Sequence, residues 1–100
     1  MAFFIKTEII KKDFLIKNLV KENIIQKHLI WVRELQAKGT NIKSGFLVDK
    51  NKKPGGGGFL IIECNSFEAA SEIISNDPMI KNKLVEWELH EWIDITGKNS

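Results

Sequence analysis

Cysteine is nearly absent from this chain of 100 residues, which contains Cys64 alone. A single cysteine cannot form a disulfide within the chain, so the covalent crosslinks that stabilise many small exported domains are excluded. We therefore expect a cytoplasmic protein. Cys64 closely follows the apolar run 59–62 and has no cationic neighbour in the sequence, which indicates a buried small side chain rather than a reactive thiol.

Long apolar segments are also missing. No run approaches the ~20 residues that a membrane-spanning helix needs, so we expect no association with a membrane. The first five residues are apolar, but Lys6 and Glu8 follow almost at once. The basic start, apolar stretch and small-residue cleavage site of a signal peptide are therefore not found, and we expect no export.

The chain also lacks a strong net charge of either sign. Fifteen basic and 13 acidic residues give a net charge of +2, too little to predict a nucleic-acid partner, which requires a clustered basic face. The hydrophobic fraction of 43% and the charged fraction of 28% are those of a globular protein. We expect one domain over residues 1–100 with a frayed tail at 96–100, and a small core that pairing with a second copy would help to stabilise.

The first half of the chain predicts a strand and a long helix. Residues 3–9 begin apolar and then alternate, which indicates a strand. A helix is predicted from an N-cap at Asp13 to Lys38, ended by Gly39. Its apolar stripe contains His28, but four earlier apolar residues fall out of phase with it, so we expect a break near residues 21–23 or a separate short helix; those four are Leu15, Ile16, Leu19 and Val20.

The second half predicts three more strands and a second helix. Residues 41–48 and 59–64 indicate strands joined by a long loop that includes the four glycines 55–58. A helix opens at its cap Ser66 and ends before Asp77-Pro78, and residues 84–95 alternate as a strand. The order βαββαβ predicts an α+β, ferredoxin-like fold, with a four-stranded antiparallel sheet and two helices on one face.

Two helices leave one face of such a sheet uncovered. In the last strand His90 and Trp92 share a side with acidic residues, and in the first strand Phe4, Lys6 and Glu8 lie opposite Phe3. We expect the face bearing Phe4, Glu63 and Trp92 to be buried in a homodimer around a partly polar cavity. A sheet face exposed to solvent is the alternative.

His28 and Asp77 are the candidates for chemistry. A histidine inside an apolar stripe is either a core residue with a satisfied hydrogen bond or a group exposed to a cleft. Asp77 either ends a helix before Pro78 or orients an imidazole and raises its basicity. The glycine run lacks the Gly-Lys-Ser/Thr of a phosphate loop, and no zinc motif or Ser/His/Asp nucleophile motif occurs, so no metal or cofactor is expected.

The segments Gln26–Leu29, Gly45–Leu47, Ser66–Ala70 and Asn76–Met79, followed by an aromatic-rich last strand, resemble the YCII-related proteins over residues 2–95. The resemblance implies a dimeric α/β barrel in which His28 and Asp77 form a catalytic dyad in a cleft. A dehydrochlorinase that acts on a hydroxylated aromatic is similar. Met79 departs from the pattern, because an aromatic residue commonly stands there.

The function implied by this resemblance is a cofactor-free lyase or isomerase acting on a small organic molecule. His28 would be the general acid or base and Asp77 its orienting partner, and we expect four residues to contact the substrate: Trp31, Met79, His90 and Trp92. A dimer that binds or senses a small molecule without catalysis remains an alternative, as does a purely structural dimer.

Overall fold

The computed structural model describes residues 1–11 and 18–97. In chain order the described part forms β1 (Ala2–Ile10), α1 (Asn18–Ala37), β2 (Ile42–Val48), β3 (Pro54–Cys64), α2 (Phe67–Ile74), α3 (Pro78–Lys81) and β4 (Val85–Trp92). The predicted order of elements is confirmed, with α3 as an additional single turn and with β4 ending before the predicted residue 95. None of the described helices has the length and apolar character needed to cross a membrane.

The four strands form one antiparallel sheet in the order β2-β3-β1-β4. The described helices lie on the same face of this sheet, which we call the covered face. There Phe4, Ile42 and Ile62 of the strands pack with Val32 of α1 and Ile74 of α2 in one apolar core. This architecture confirms the predicted α+β, ferredoxin-like fold.

The helix α1 is continuous, so the break predicted near residues 21–23 is wrong. Leu19 and Val20 cause no break because they are simply exposed, Leu19 to 68%. No glycine or proline occurs in α1, so no residue in it disrupts the helical hydrogen bonds. The other two apolar residues that fall out of phase, Leu15 and Ile16, lie outside the described residues.

The end of α1 matches the prediction. Gly39 has a φ of +94°, and the backbone N–H groups of Gly39 and Thr40 donate to the carbonyls of Gln36 and Leu35. This is the Schellman arrangement, in which a glycine in the left-handed region closes the helix. The predicted N-cap Asp13 and the last residues of the predicted frayed tail, 98–100, lie outside the described residues.

The glycine-rich stretch belongs to a strand, so the prediction that residues 55–58 form a loop is wrong. β3 begins at Pro54, and the connection to β2 is reduced to a tight turn around Asp49. A Cβ atom on Gly57 would lie 2.4 Å from the backbone oxygen of Glu8 in β1, and Gly57 has a φ of +88°. Glycine is required here because the two strands approach too closely for any side chain.

The face of the sheet opposite the described helices is here called the open face. It bears Phe3, whereas the prediction placed Phe4 there. Phe3 is paired with Glu63 of β3 on one side and with Trp92 of β4 on the other, so the side chains of these three residues share the open face. Phe4 is 1% exposed on the covered face, and Lys6 lies there too. Two adjacent phenylalanines give no alternation signal, and an error of one residue exchanges the faces.

Candidate functional site

His28 and Asp77 are in direct contact on the covered face. The Nδ1 atom of His28 lies 2.8 Å from Oδ1 of Asp77, within hydrogen-bonding distance. His28 is 5% exposed and Asp77 is fully buried. The helix α1 provides the histidine and the start of α3 provides the carboxylate, so residues separated by 49 positions meet through tertiary packing.

The Asp77-Pro78 pair does more than end a helix. Asp77 is the N-cap of α3 and Pro78 occupies the first turn, where its missing N–H costs nothing. The Oδ1 atom of Asp77 accepts a hydrogen bond of 2.9 Å from the backbone N–H of Met79. The cap fixes the carboxylate, so its orientation toward His28 does not depend on a free side-chain rotamer.

Lys6 is the third member of the site and was not recognised in the sequence. Its Nζ atom donates to Oδ2 of Asp77 at 2.6 Å and forms an ion pair with Glu8. Lys6 is 1% exposed, and such burial of a lysine is rare unless it is paired. Side chains two residues apart in a strand share a face, so placing Phe4 on the covered face would have placed Lys6 there too and indicated that it is buried.

The Asp77 carboxylate is held in its charged form. Burial by itself would raise the pKa of Asp77, but the hydrogen bond with His28 and the charge and hydrogen bond of Lys6 outweigh it, so the pKa lies below the ordinary 3.8. At neutral pH this buried carboxylate is therefore an anion with partners on both oxygens.

Ser44 completes the hydrogen bonding of the imidazole. Its Oγ atom lies 2.7 Å from Nε2 of His28, so both ring nitrogens have partners. Ser44 is half-buried on β2, in the same row of the covered face as Leu60 and Lys6. The residues Ser44, His28, Asp77 and Lys6 form one connected chain of polar groups, which we call the polar chain.

The four residues predicted to contact a substrate are not all near the dyad. The ring of Trp31 lies 5.8 Å from that of His28 between centroids. Met79 touches Asp77 through its backbone, while its side chain is buried in a second apolar cluster. His90 and Trp92 lie on the open face, where the sheet separates them from His28. A role in substrate binding stays a prediction for all four.

Other candidate sites in the described part of the chain are poorer. Among these residues no group of three His, Cys, Asp or Glu side chains is placed to hold a metal ion. A groove of about 450 Å³ at one end of the sheet is lined by Ile9 and Trp87 among others, and it contains neither His28 nor Asp77. Cys64 is buried, and burial raises the pKa of its thiol.

Comparison with known proteins bears on the fold and the family of the chain. A search of curated protein sequences returns no match. Among solved structures, 5-chloro-2-hydroxyhydroquinone dehydrochlorinase (TftG) from Burkholderia phenoliruptrix AC1100, in complex with 2,5-dihydroxybenzoquinone, superposes with a TM-score of 0.69 at 24% identity and covers 97% of both chains. The de novo designed protein Foldit4 gives 0.46 at 12% identity over 93% of this chain and 96% of its own.

The identity to TftG is low, so that superposition supports the fold and does not by itself assign an activity. The sequence provides the assignment to a family, because the model of the YCII-related domain matches residues 3–93. This match spans both His28 and Asp77 and all residues of the four strands except Ala2. The chain therefore belongs to the YCII-related domain family.

Proposed function

We propose that this protein is a cofactor-free enzyme of the lyase or isomerase type that acts on a small organic molecule, with His28 as general base or acid and Asp77 as its orienting partner. The observation that carries the proposal is the contact of 2.8 Å between Nδ1 of His28 and a buried carboxylate. An imidazole with a fixed partner on one nitrogen is the usual arrangement for proton transfer at the other.

The charge state of Asp77 determines which nitrogen is reactive. Because Asp77 is an anion at neutral pH, it accepts a hydrogen bond from Nδ1–H of His28. In the neutral imidazole the lone pair is then on Nε2, the nitrogen that faces Ser44. A substrate proton therefore reaches His28 from the side of β2, and Asp77 stabilises the imidazolium that forms.

The substrate class follows from what a single histidine can contribute. General base catalysis adds about 10²–10⁴-fold in rate, so the substrate must already carry an acidic proton. A hydroxylated quinol meets this condition, and the superposed TftG is a dehydrochlorinase of such a compound. We propose the same broad class here: a small, oxygenated ring from which base-assisted elimination or isomerisation proceeds without a cofactor.

The proposal is tested with 5-chloro-2-hydroxyhydroquinone as the probe, by measuring chloride release. We expect His28→Gln to lower kcat/KM by about 10²–10⁴-fold, the usual contribution of a general base. Lys27→Gln is the matched control, because Lys27 is an exposed neighbour on the same helix. Equal rates for the wild-type protein and His28→Gln would contradict the proposal. Tight binding of 2,5-dihydroxybenzoquinone without turnover would favour the non-catalytic binding protein instead.

We also propose that the protein acts as a homodimer formed through the open face. Phe3, Ile9, Phe59 and Trp92 expose apolar surface there, and Trp92 is 50% exposed. Phe3 and Trp92 are direct cross-strand neighbours, and exposed apolar surface shared by neighbouring residues is typical of an interaction site. Replacing Trp92 with glutamate should place a charge in the interface and shift the protein toward monomer. Sedimentation velocity at micromolar concentration measures this, and an undiminished dimer would place Trp92 outside the interface.

A further inference from the structure

The hydrogen bonds of His28 place a serine hydroxyl where a nucleophile belongs. The Oγ atom of Ser44 is 2.7 Å from Nε2, and Nδ1 is 2.8 Å from a buried aspartate. These are the contacts that define a Ser-His-Asp triad, which is recognised by geometry rather than by the order of residues in the chain. The sequence does not predict this triad, because Ser44 lies within the strand β2 and not in a strained turn.

We propose that Ser44, His28 and Asp77 form a nucleophilic triad that accepts an acyl group from small activated esters. This activity goes beyond proton transfer by His28 alone, because it adds a covalent step at Ser44. Both activities require His28, but only the covalent step attaches a group to Ser44. Failure of one is therefore distinguishable from failure of the other.

The backbone of Ser44 also provides a donor for the developing oxyanion. The N–H of Glu63 donates to the carbonyl of Asn41, so the odd-numbered residues of β2 exchange hydrogen bonds with β3. Ser44 therefore directs its own N–H away from β3, toward the edge of β2 that pairs with no described strand. A nucleophilic serine in a triad uses its own N–H in this way.

The surroundings of Ser44 indicate the class of ester. Ser44 is half-buried, and Phe46, two residues farther along the same face of β2, is 69% exposed. An aromatic or short aliphatic ester can therefore pack against Phe46 while its carbonyl reaches the hydroxyl. Lys6 neutralises the far oxygen of Asp77, which keeps the aspartate ionised and fixed behind His28.

The proposed reaction is balanced by groups of the site and by water. A bond forms between Oγ of Ser44 and the acyl carbon as the ester C–O bond breaks. The serine proton passes to Nε2 of His28 and then to the leaving alcohol or phenol. A water molecule next attacks the acyl-serine, gives its proton to Nε2 and releases the carboxylic acid, and the proton returns to Oγ.

The test uses an alkyl fluorophosphonate, which phosphonylates activated serines and is not turned over. In the wild-type protein we expect one phosphonyl group, with loss of fluoride, and peptide mapping by mass spectrometry should place it on Ser44. Labelling should be lost in Ser44→Ala, and it should slow by at least about 10²-fold in His28→Gln, as expected when a general base is removed. Ser75→Ala is the matched control, because Ser75 is exposed and its hydroxyl donates to a backbone carbonyl of its own helix.

The mapping on the wild-type protein decides the question even if a variant folds poorly. No adduct, or an adduct on another residue, overturns the triad. Labelling of Ser44 at the same rate in His28→Gln overturns it as well, because the serine would then be reactive without its base. Chloride release is measured separately on the wild-type protein: labelling of Ser44 without chloride release supports the triad and contradicts the proposed elimination, whereas chloride release without labelling of Ser44 overturns the triad alone.

Discussion

Replacing Lys6 with methionine should lower the free energy of unfolding by about 3–5 kcal/mol, the usual cost of removing one partner from a buried ion pair. Methionine keeps the length of the apolar stem and removes only the ammonium group. The change leaves Asp77 fully buried and Glu8 nearly so, without the cation that lies between them. Urea unfolding at neutral pH measures the loss, which is a large part of the ~5–15 kcal/mol typical of native proteins.

Two further variants show whether charge or packing causes the loss. Lys43→Met, at an exposed position of β2, should be nearly neutral because it removes a solvated charge. Adding Glu8→Gln to Lys6→Met should recover part of the stability, since only one buried carboxylate then remains. If Lys6→Met and Lys43→Met are equally stable, the polar chain contributes nothing measurable to folding.

Much of the fold was predictable because its signals are local. The alternation in β4, the stripe of α1 and the cap at Ser66 each depend on a few neighbouring residues. The glycines 55–58 were misassigned because glycine signals both loops and close approaches of backbone, and only the position of Glu8 in the neighbouring strand decides between the two.

The candidate site was half predictable, for a related reason. His28 was identified by its position in an apolar stripe, and the family resemblance paired it with Asp77. Ser44 carries no such signal, because a serine in a strand is usually exposed to solvent. The alternation of β1 places Lys6 on the covered face only once Phe4 is placed there. The importance of Ser44 and Lys6 follows from the register of three strands, which places Ser44, Leu60 and Lys6 in one row beneath α1.

Asp77→Asn should also lower the free energy of unfolding by a large amount, and the size of this loss should depend on pH. The folded protein holds the pKa of Asp77 below the ordinary 3.8, so the unfolded chain binds a proton first as the pH falls. The carboxylate therefore stabilises the fold fully above about pH 4, and this contribution is lost as the pH falls through the lower pKa of the folded state. Asparagine can still cap α3, so the variant isolates the charge.

We expect Asp77→Asn to lower the free energy of unfolding by about 3–5 kcal/mol at pH 7, because Lys6 loses its fully buried counter-charge. Below pH 4 this loss should become progressively smaller. Urea unfolding of both proteins between pH 7 and pH 2.5 measures this narrowing difference. Asp49→Asn is the matched control, since it removes an exposed carboxylate from a turn that an asparagine side chain can also stabilise. A difference between wild type and Asp77→Asn that stays constant down to pH 2.5 would mean that folding does not favour the charged form of Asp77. His28 would then lack the fixed anion on which its role as a base depends.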